Sequence, residues 1–102
     1  DQVSSYAIIA LTDVSLLEIN FLELNKLATK YHSIEKVISS ISSMATKKMM
    51  SRIRELLETD AKERYLNFLE NNSHLMNIVS LKDLSAYLGI SQVSLSRIRA
   101  NI

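Results

Sequence analysis

Apolar residues near the C-terminal end of the chain recur at helical spacing and predict two short helices joined by a tight turn. In the first helix, the residues that fall on one face are Leu81, Leu84, Tyr87 and Leu88. Gly89, the chain's only glycine, follows where a left-handed residue is needed to end the helix sharply. The pattern therefore predicts a helix that begins after a serine cap, at residue 81, and turns at residue 89.

The second helix is predicted to begin after Ser91, a favourable N-cap residue, and to bury Leu95 and Ile98. The residues that this arrangement leaves largely outward are Gln92, Val93, Ser94, Ser96, Arg97 and Arg99. A helix that reads DNA needs short polar residues at its N-terminal end and arginines that can reach bases or phosphates. The pair is typical of a helix-turn-helix. The alternative is two packed surface helices with ordinary solvated arginines.

A much longer helix is predicted from residue 33 to about residue 58, because apolar residues recur along it for about seven turns. The members of this stripe are Ile34, Val37, Ile38, Ile41, Met44, Ala45, Met49, Ile53 and Leu56. One small domain cannot cover so long a stripe, so we expect it to form the seam of a homodimer. Packing within the same chain is the alternative. Lys48 and Arg52 lie near the stripe and would weaken the seam unless Glu55 or another carboxylate pairs with them.

The segments before and after the long helix have their own signals. Residues 6–19 are rich in β-formers around the polar break at residues 12–13, which predicts a β-hairpin that needs further strands or a helix to cover it. Asn20 caps a short helix that ends near residues 31–32 and is expected to bury Phe21, Leu24, Leu27 and Ala28.

Beyond the long helix, Asp60 caps a helix whose apolar face comprises Tyr65, Leu66, Phe68 and Leu69. A loop over residues 71–80 is expected to add a small apolar plug made of Leu75, Met76, Ile78 and Val79. Both features would complete the core beneath the helix-turn-helix.

Composition narrows the chemistry that the chain can perform. The 102 residues carry a formal charge of only +1, so any affinity for a polyanion must be local. No cysteine is present, and the two histidines are far apart, which argues against metal ligation. One glycine cannot build a phosphate-binding loop, and no nucleophile stands beside a histidine in triad spacing, so we do not expect an enzyme. No membrane span or signal peptide is expected, which indicates a cytoplasmic protein.

The segment LKDLSAYLGISQVSLSRIR at residues 81–99, preceded by an ERYL helix, resembles the C-terminal part of the Crp/Fnr transcription regulators, especially those of the Bacteroidetes type. The match is ungapped. It departs at Ser85, where alanine is usual, and at Ser94, where threonine is usual. It also departs at Val93, where many members carry a glutamate that accepts from cytosine, so the family's base preference cannot be carried over.

The resemblance implies a mainly α fold in three parts. Residues 1–32 would close an effector-sensing β-barrel related to cyclic-nucleotide-binding domains, residues 33–58 would form the dimerisation helix, and residues 59–102 would form the DNA-binding domain. Because the chain begins at Asp1 without an initiating methionine, we expect it to be a piece of a longer protein. No cofactor is expected in this piece, since the family's nucleotide-binding cassette is missing and Met49 and Met50 offer no hydrogen bonds to a base.

The function implied by the resemblance is transcription regulation by a homodimer that binds a pseudo-palindromic operator in double-stranded DNA and contacts RNA polymerase. The residues expected to contact DNA are Lys82, Ser91, Gln92, Val93, Ser94, Ser96, Arg97 and Arg99. The alternative is a dimerisation module whose helix-turn-helix no longer reads DNA and docks protein instead. Salt-dependent binding to a duplex separates the two.

Overall fold

The computed structural model describes residues 3–102, and within them the chain forms five α-helices and one short 3-10 turn. The helices are α1 (Phe21–Lys30), α2 (His32–Glu58), α3 (Ala61–Asn72), α4 (Leu81–Leu88) and α5 (Gln92–Ala100), and the 3-10 turn is Ser73–Leu75. The prediction of a mainly α chain is confirmed. The predicted long helix begins one residue earlier than expected and ends where expected.

The predicted β-hairpin is not formed, because residues 3–20 contain no strand in this structure. Their side chains are exposed throughout, including the apolar ones that would have lined a covered face. Two strands bury too little surface to be stable alone in water, and no helix of the described chain lies over this segment. The alternating pattern therefore has nothing to pack against here.

Helix α1 begins where its cap predicts, but it buries less than expected. The side chain of Asn20 accepts hydrogen bonds from the backbone N–H groups of Leu22 at 2.9 Å and Glu23 at 3.3 Å. No residue of α1 is buried, and Phe21 is 68% exposed. Leu24 and Ala28 are half-buried where α1 packs against α2. Four residues were expected to be covered, and one neighbouring helix covers only part of that face.

Helix α2 is the longest element, with 27 residues and a length of about 40 Å. None of its residues is buried. Ile34 and Ile38, near α1, are half-buried, whereas Ile41 in the middle of the stripe is 58% exposed. Packing within the chain therefore covers the apolar stripe only in part, at its N-terminal end.

The core of the molecule lies in its C-terminal part, between α3, α4 and α5. The buried apolar side chains are Tyr65, Phe68, Leu84, Leu88 and Leu95. Half-buried side chains that pack around them are Leu69, Leu75, Met76, Val79, Leu81, Ile90 and Ile98. The apolar plug of the loop is thus mostly confirmed. In the plug, Ile78 is 41% exposed, and Leu66 on the predicted apolar face of α3 is 41% exposed as well.

The turn between α4 and α5 has the expected left-handed residue. Gly89 has φ 69° and ψ 36°, a conformation that costs little for glycine and more for residues with a Cβ atom. The turn closes with a hydrogen bond from the Ile90 N–H to the Ser85 carbonyl at 3.0 Å. Ser80 caps α4 by accepting from the Asp83 N–H at 3.0 Å. The capping and turn chemistry that the sequence predicted is present.

Leu88 on α4 and Leu95 on α5 are fully buried and form one core cluster with Tyr65 and Phe68 of α3. We expect Leu88→Ala or Leu95→Ala to lower the free energy of unfolding by about 2–5 kcal/mol, because each removes buried methyl groups and leaves a cavity. The matched control is Leu57→Ala, since Leu57 is 80% exposed and its truncation should change the free energy by less than about 0.5 kcal/mol. Urea unfolding followed by circular dichroism measures both, and equal effects at buried and exposed positions would contradict this core.

Candidate nucleic-acid interface

Helix α5 begins with a serine cap. The hydroxyl of Ser91 accepts from the Ser94 N–H at 3.1 Å and donates to the Ser94 hydroxyl oxygen at 2.9 Å. The cap therefore uses two of the three serine side chains that the sequence assigned to DNA contact. Ser94 is also half-buried, and its own hydroxyl proton is the donor left for an outside acceptor.

The outward face of α5 carries most of the residues predicted to contact DNA. Gln92, Val93, Ser96, Arg97 and Arg99 are all exposed, as is Lys82 on α4. The opposite face is anchored by Leu95, which is fully buried. Because the buried side faces the core, these polar and cationic side chains are presented together to solvent.

A shallow groove runs across this surface between the beginning of α4 and the outward face of α5. The residues that line it are Leu81, Gln92, Val93, Ser96, Arg97 and Ala100. We call this the reading face. It combines an amide, a hydroxyl and a guanidinium with apolar side chains, which are the groups that proteins use on the edges of base pairs.

The charge around the reading face is positive. Residues 81–102 contain Lys82, Arg97 and Arg99 and a single acid, Asp83. The carboxylate of Asp83 accepts from the Ser80 hydroxyl at 2.6 Å and is thereby committed to the cap. Among residues 3–102 the ion pairs all lie on α1 and α2, so the three cations near the reading face are free for an anionic partner.

A buried arginine, whose role the sequence did not reveal, donates hydrogen bonds at the C-terminal end of α4. Arg64 on α3 donates through Nε to the Leu88 carbonyl at 2.8 Å and through Nη1 to the Thr59 carbonyl. Leu88 is the last residue of α4, whose carbonyl has no partner within the helix. Arg64 thus connects the turn between α4 and α5 to the junction between α2 and α3. Its position after Glu63 in a polar-looking stretch gave no sign of burial.

A second arginine joins α2 to α4. The guanidinium of Arg52 lies 4.0 Å from the centre of the Tyr87 ring, and it donates to the Tyr87 carbonyl and to the Glu55 carboxylate. The pairing with Glu55 that the sequence required is present. The prediction that Tyr87 lies with the inward-facing residues of α4 is wrong, because its side chain is 52% exposed. The Tyr87 ring contacts Phe68 edge-on, with 5.6 Å between the ring centres.

The last member of the apolar stripe of α2 contacts the turn between α4 and α5. The Leu56 side chain lies 3.3 Å from where a Cβ atom on Gly89 would stand. The other stripe residues in the second half of α2, Met44, Ala45, Met49 and Ile53, are exposed. The apolar surface of α2 is therefore open over most of its length, and its C-terminal end contacts the turn between α4 and α5.

Other kinds of site are not found within the part of the chain that the structure describes. Residues 3–102 hold no group of three or more His, Cys, Asp or Glu side chains placed to bind a metal ion. None of the helices between Phe21 and Ala100 combines the length and apolar character that crossing a bilayer requires.

Comparisons with known proteins give no match to a family model, to a curated protein or to a solved structure.

The support from Arg64 can be tested by replacing it with a residue of similar length and no charge. We expect Arg64→Met to lower the free energy of unfolding by about 2 kcal/mol, because two carbonyl groups lose a charged donor. The same substitution at Arg54, which is exposed on α2, is the control and should change stability by less than about 0.5 kcal/mol. Urea titrations compare the two, and an Arg64→Met protein as stable as the control would show that these bonds contribute nothing.

Proposed function

We propose that this chain is a sequence-specific DNA-binding transcription regulator that acts as a homodimer under the control of an effector domain. The observation that carries the proposal is the reading face: a capped helix anchored by Leu95 that presents Gln92, Ser96 and Arg97 outward, with no acidic residue on α5. The resemblance of residues 57–99 to the Crp/Fnr regulators supports the same function.

The two classes of DNA contact would come from different parts of this surface. Gln92 and Arg97 lie on the groove of the reading face, where side chains of their type bond adenine and guanine edges. Lys82 at the first turn of α4 and Arg99 at the edge of α5 are exposed outside the groove and would reach phosphates. Ser91 and Ser94 would act mainly by fixing the N-terminal end of α5.

The dimer would form along the open stripe of α2. Its central apolar residues are exposed in the single chain, and burying them at about 25 cal/mol per Å² could supply several kcal/mol. A two-fold axis along this helix pair would place two reading faces on successive major grooves, about 34 Å apart. An effector would then act by changing how the two long helices pack, and thus the spacing of the reading faces.

Docking of a protein is the second candidate, because apolar side chains also line the reading face. Leu81 is half-buried there and Val93 is exposed. A protein partner would not require the three cations around the groove, so its binding would depend weakly on salt. Binding to a duplex should weaken steeply as salt rises.

Substitutions on the reading face should separate the two classes of DNA contact. After binding-site selection, we expect Arg97→Ala to relax the preference at one symmetric base position, with a loss of about 1–3 kcal/mol of discrimination. Lys82→Ala and Arg99→Ala should weaken all sequences alike and lower the salt slope by about one. Arg54→Ala, an exposed arginine outside the face, is the control. An unchanged selected sequence for Arg97→Ala would rule out its role in base readout.

The dimer can be tested with a charge placed on the stripe. We expect Ile41→Asp to shift the chain from dimer to monomer in sedimentation, because a buried unpaired carboxylate costs several kcal/mol. Ser43→Asp is the matched control, since Ser43 lies about 200° around α2 from Ile41 and lines a groove with Lys36 and Lys47. A wild-type chain that stays monomeric at high micromolar concentration, or a control that dissociates as readily, would contradict this seam.

A further inference from the structure

Val93 has an unusual position for an apolar residue, because it stands on the outward face of α5 and is 61% exposed. At about 100° per residue, Val93 lies nearly opposite Leu95 and Ile98, which pack on the core. Gln92 and Ser96 flank it on one side and Arg97 on the other. The centre of the reading face is therefore a branched aliphatic group between polar neighbours.

The surroundings of Val93 continue this apolar character across the groove. Leu81 from α4 and Ala100 from the last turn of α5 line the same depression. The valine side chain can neither donate nor accept a hydrogen bond, so it can recognise a base only through an apolar group. Among the base edges in the major groove, only thymine presents one, its C5 methyl group.

We infer that Val93 reads thymine by packing against this methyl group, an inference that rests on the DNA-binding function proposed above. The contact would add apolar discrimination to the hydrogen bonds of Gln92 and Arg97. It would also disfavour cytosine at that position, because a cytosine amino group facing the valine would lose hydration without gaining an acceptor.

The spacing along α5 places the thymine relative to the other contacts. Val93 and Arg97 are four residues apart, which is about 6 Å along the helix axis. Base pairs rise about 3.4 Å each, so the two side chains reach positions about two base pairs apart when the helix follows the groove. The thymine is thus expected within about two base pairs of the guanine that Arg97 contacts, and again at the symmetric place in the other half-site.

The test removes the methyl group from DNA and from the protein independently. Binding-site selection with the wild-type chain gives an operator, and each thymine in one half-site is then replaced singly by deoxyuridine, which lacks only the C5 methyl. We expect one replacement near the Arg97-dependent guanine to weaken binding about three- to fivefold, as for one buried methyl group, while the others serve as controls.

The protein side of the test uses Val93→Ala and Val93→Thr. Val93 is exposed, so neither variant should change the midpoint of urea unfolding. Val93→Ala should bind the thymine and deoxyuridine operators about equally, whereas Val93→Thr retains a γ-methyl group and should keep most of the difference. A double-mutant cycle that combines Val93→Ala with the deoxyuridine replacement then gives the coupling free energy between the valine side chain and the thymine methyl group.

Two results would overturn the inference, and they are distinct from failure of the proposed function. If the wild-type chain selects an operator but no deoxyuridine replacement weakens binding, Val93 does not read a methyl group. If Val93→Ala keeps the full difference between thymine and deoxyuridine, another residue reads it. If selection yields no sequence at all, DNA reading itself is refuted and the inference falls with it.

Discussion

The geometry of this molecule depends on how a very small core fixes three helices. Leu88 and Leu95 stand on either side of the turn and are the two side chains fully removed from solvent among the large apolar residues. Both belong to one buried cluster with Tyr65 and Phe68 of α3, so the packing of α4 and α5 shares a single core. The left-handed Gly89 allows the reversal that brings them together. The orientation of the outward face of α5 is therefore set by what lies on its inner side.

The parts of the fold that depend on neighbours in sequence could be predicted from the sequence. Caps at Ser80 and Ser91, the turn at Gly89 and the length of the long helix all follow from short-range chemistry, and each is present. The hairpin could not be judged in this way, because a strand pair is stable only when something else covers it. Alternation alone specifies a face, but it does not supply the partner for that face.

The contacts between α2, α3 and α4 were missed for a related reason. Arg64 bonds to Leu88, 24 positions away in sequence, and Arg52 bonds to Tyr87, 35 positions away, and no local pattern marks either pair. The helical spacing predicts that Tyr87 faces the core, because tyrosine fits an apolar stripe. Its ring instead offers one edge to Phe68 and one face to Arg52, and an amphipathic side chain can occupy such a boundary position. Predicting it required knowing where α2 ends.

The contacts of Arg52 and Leu56 also couple the orientation of the long helix to that of α4 and α5. They fix the last turns of α2 to the α4–α5 pair, so this pair follows that end when the helix tilts. A rod about 40 Å long that tilts by about 5° about its far end displaces its near end by about 3.5 Å. That displacement equals about one base-pair rise. In the DNA-binding role proposed above, a small change of angle at the N-terminal end of α2 would therefore shift the outward face of α5 by about one base pair along the duplex.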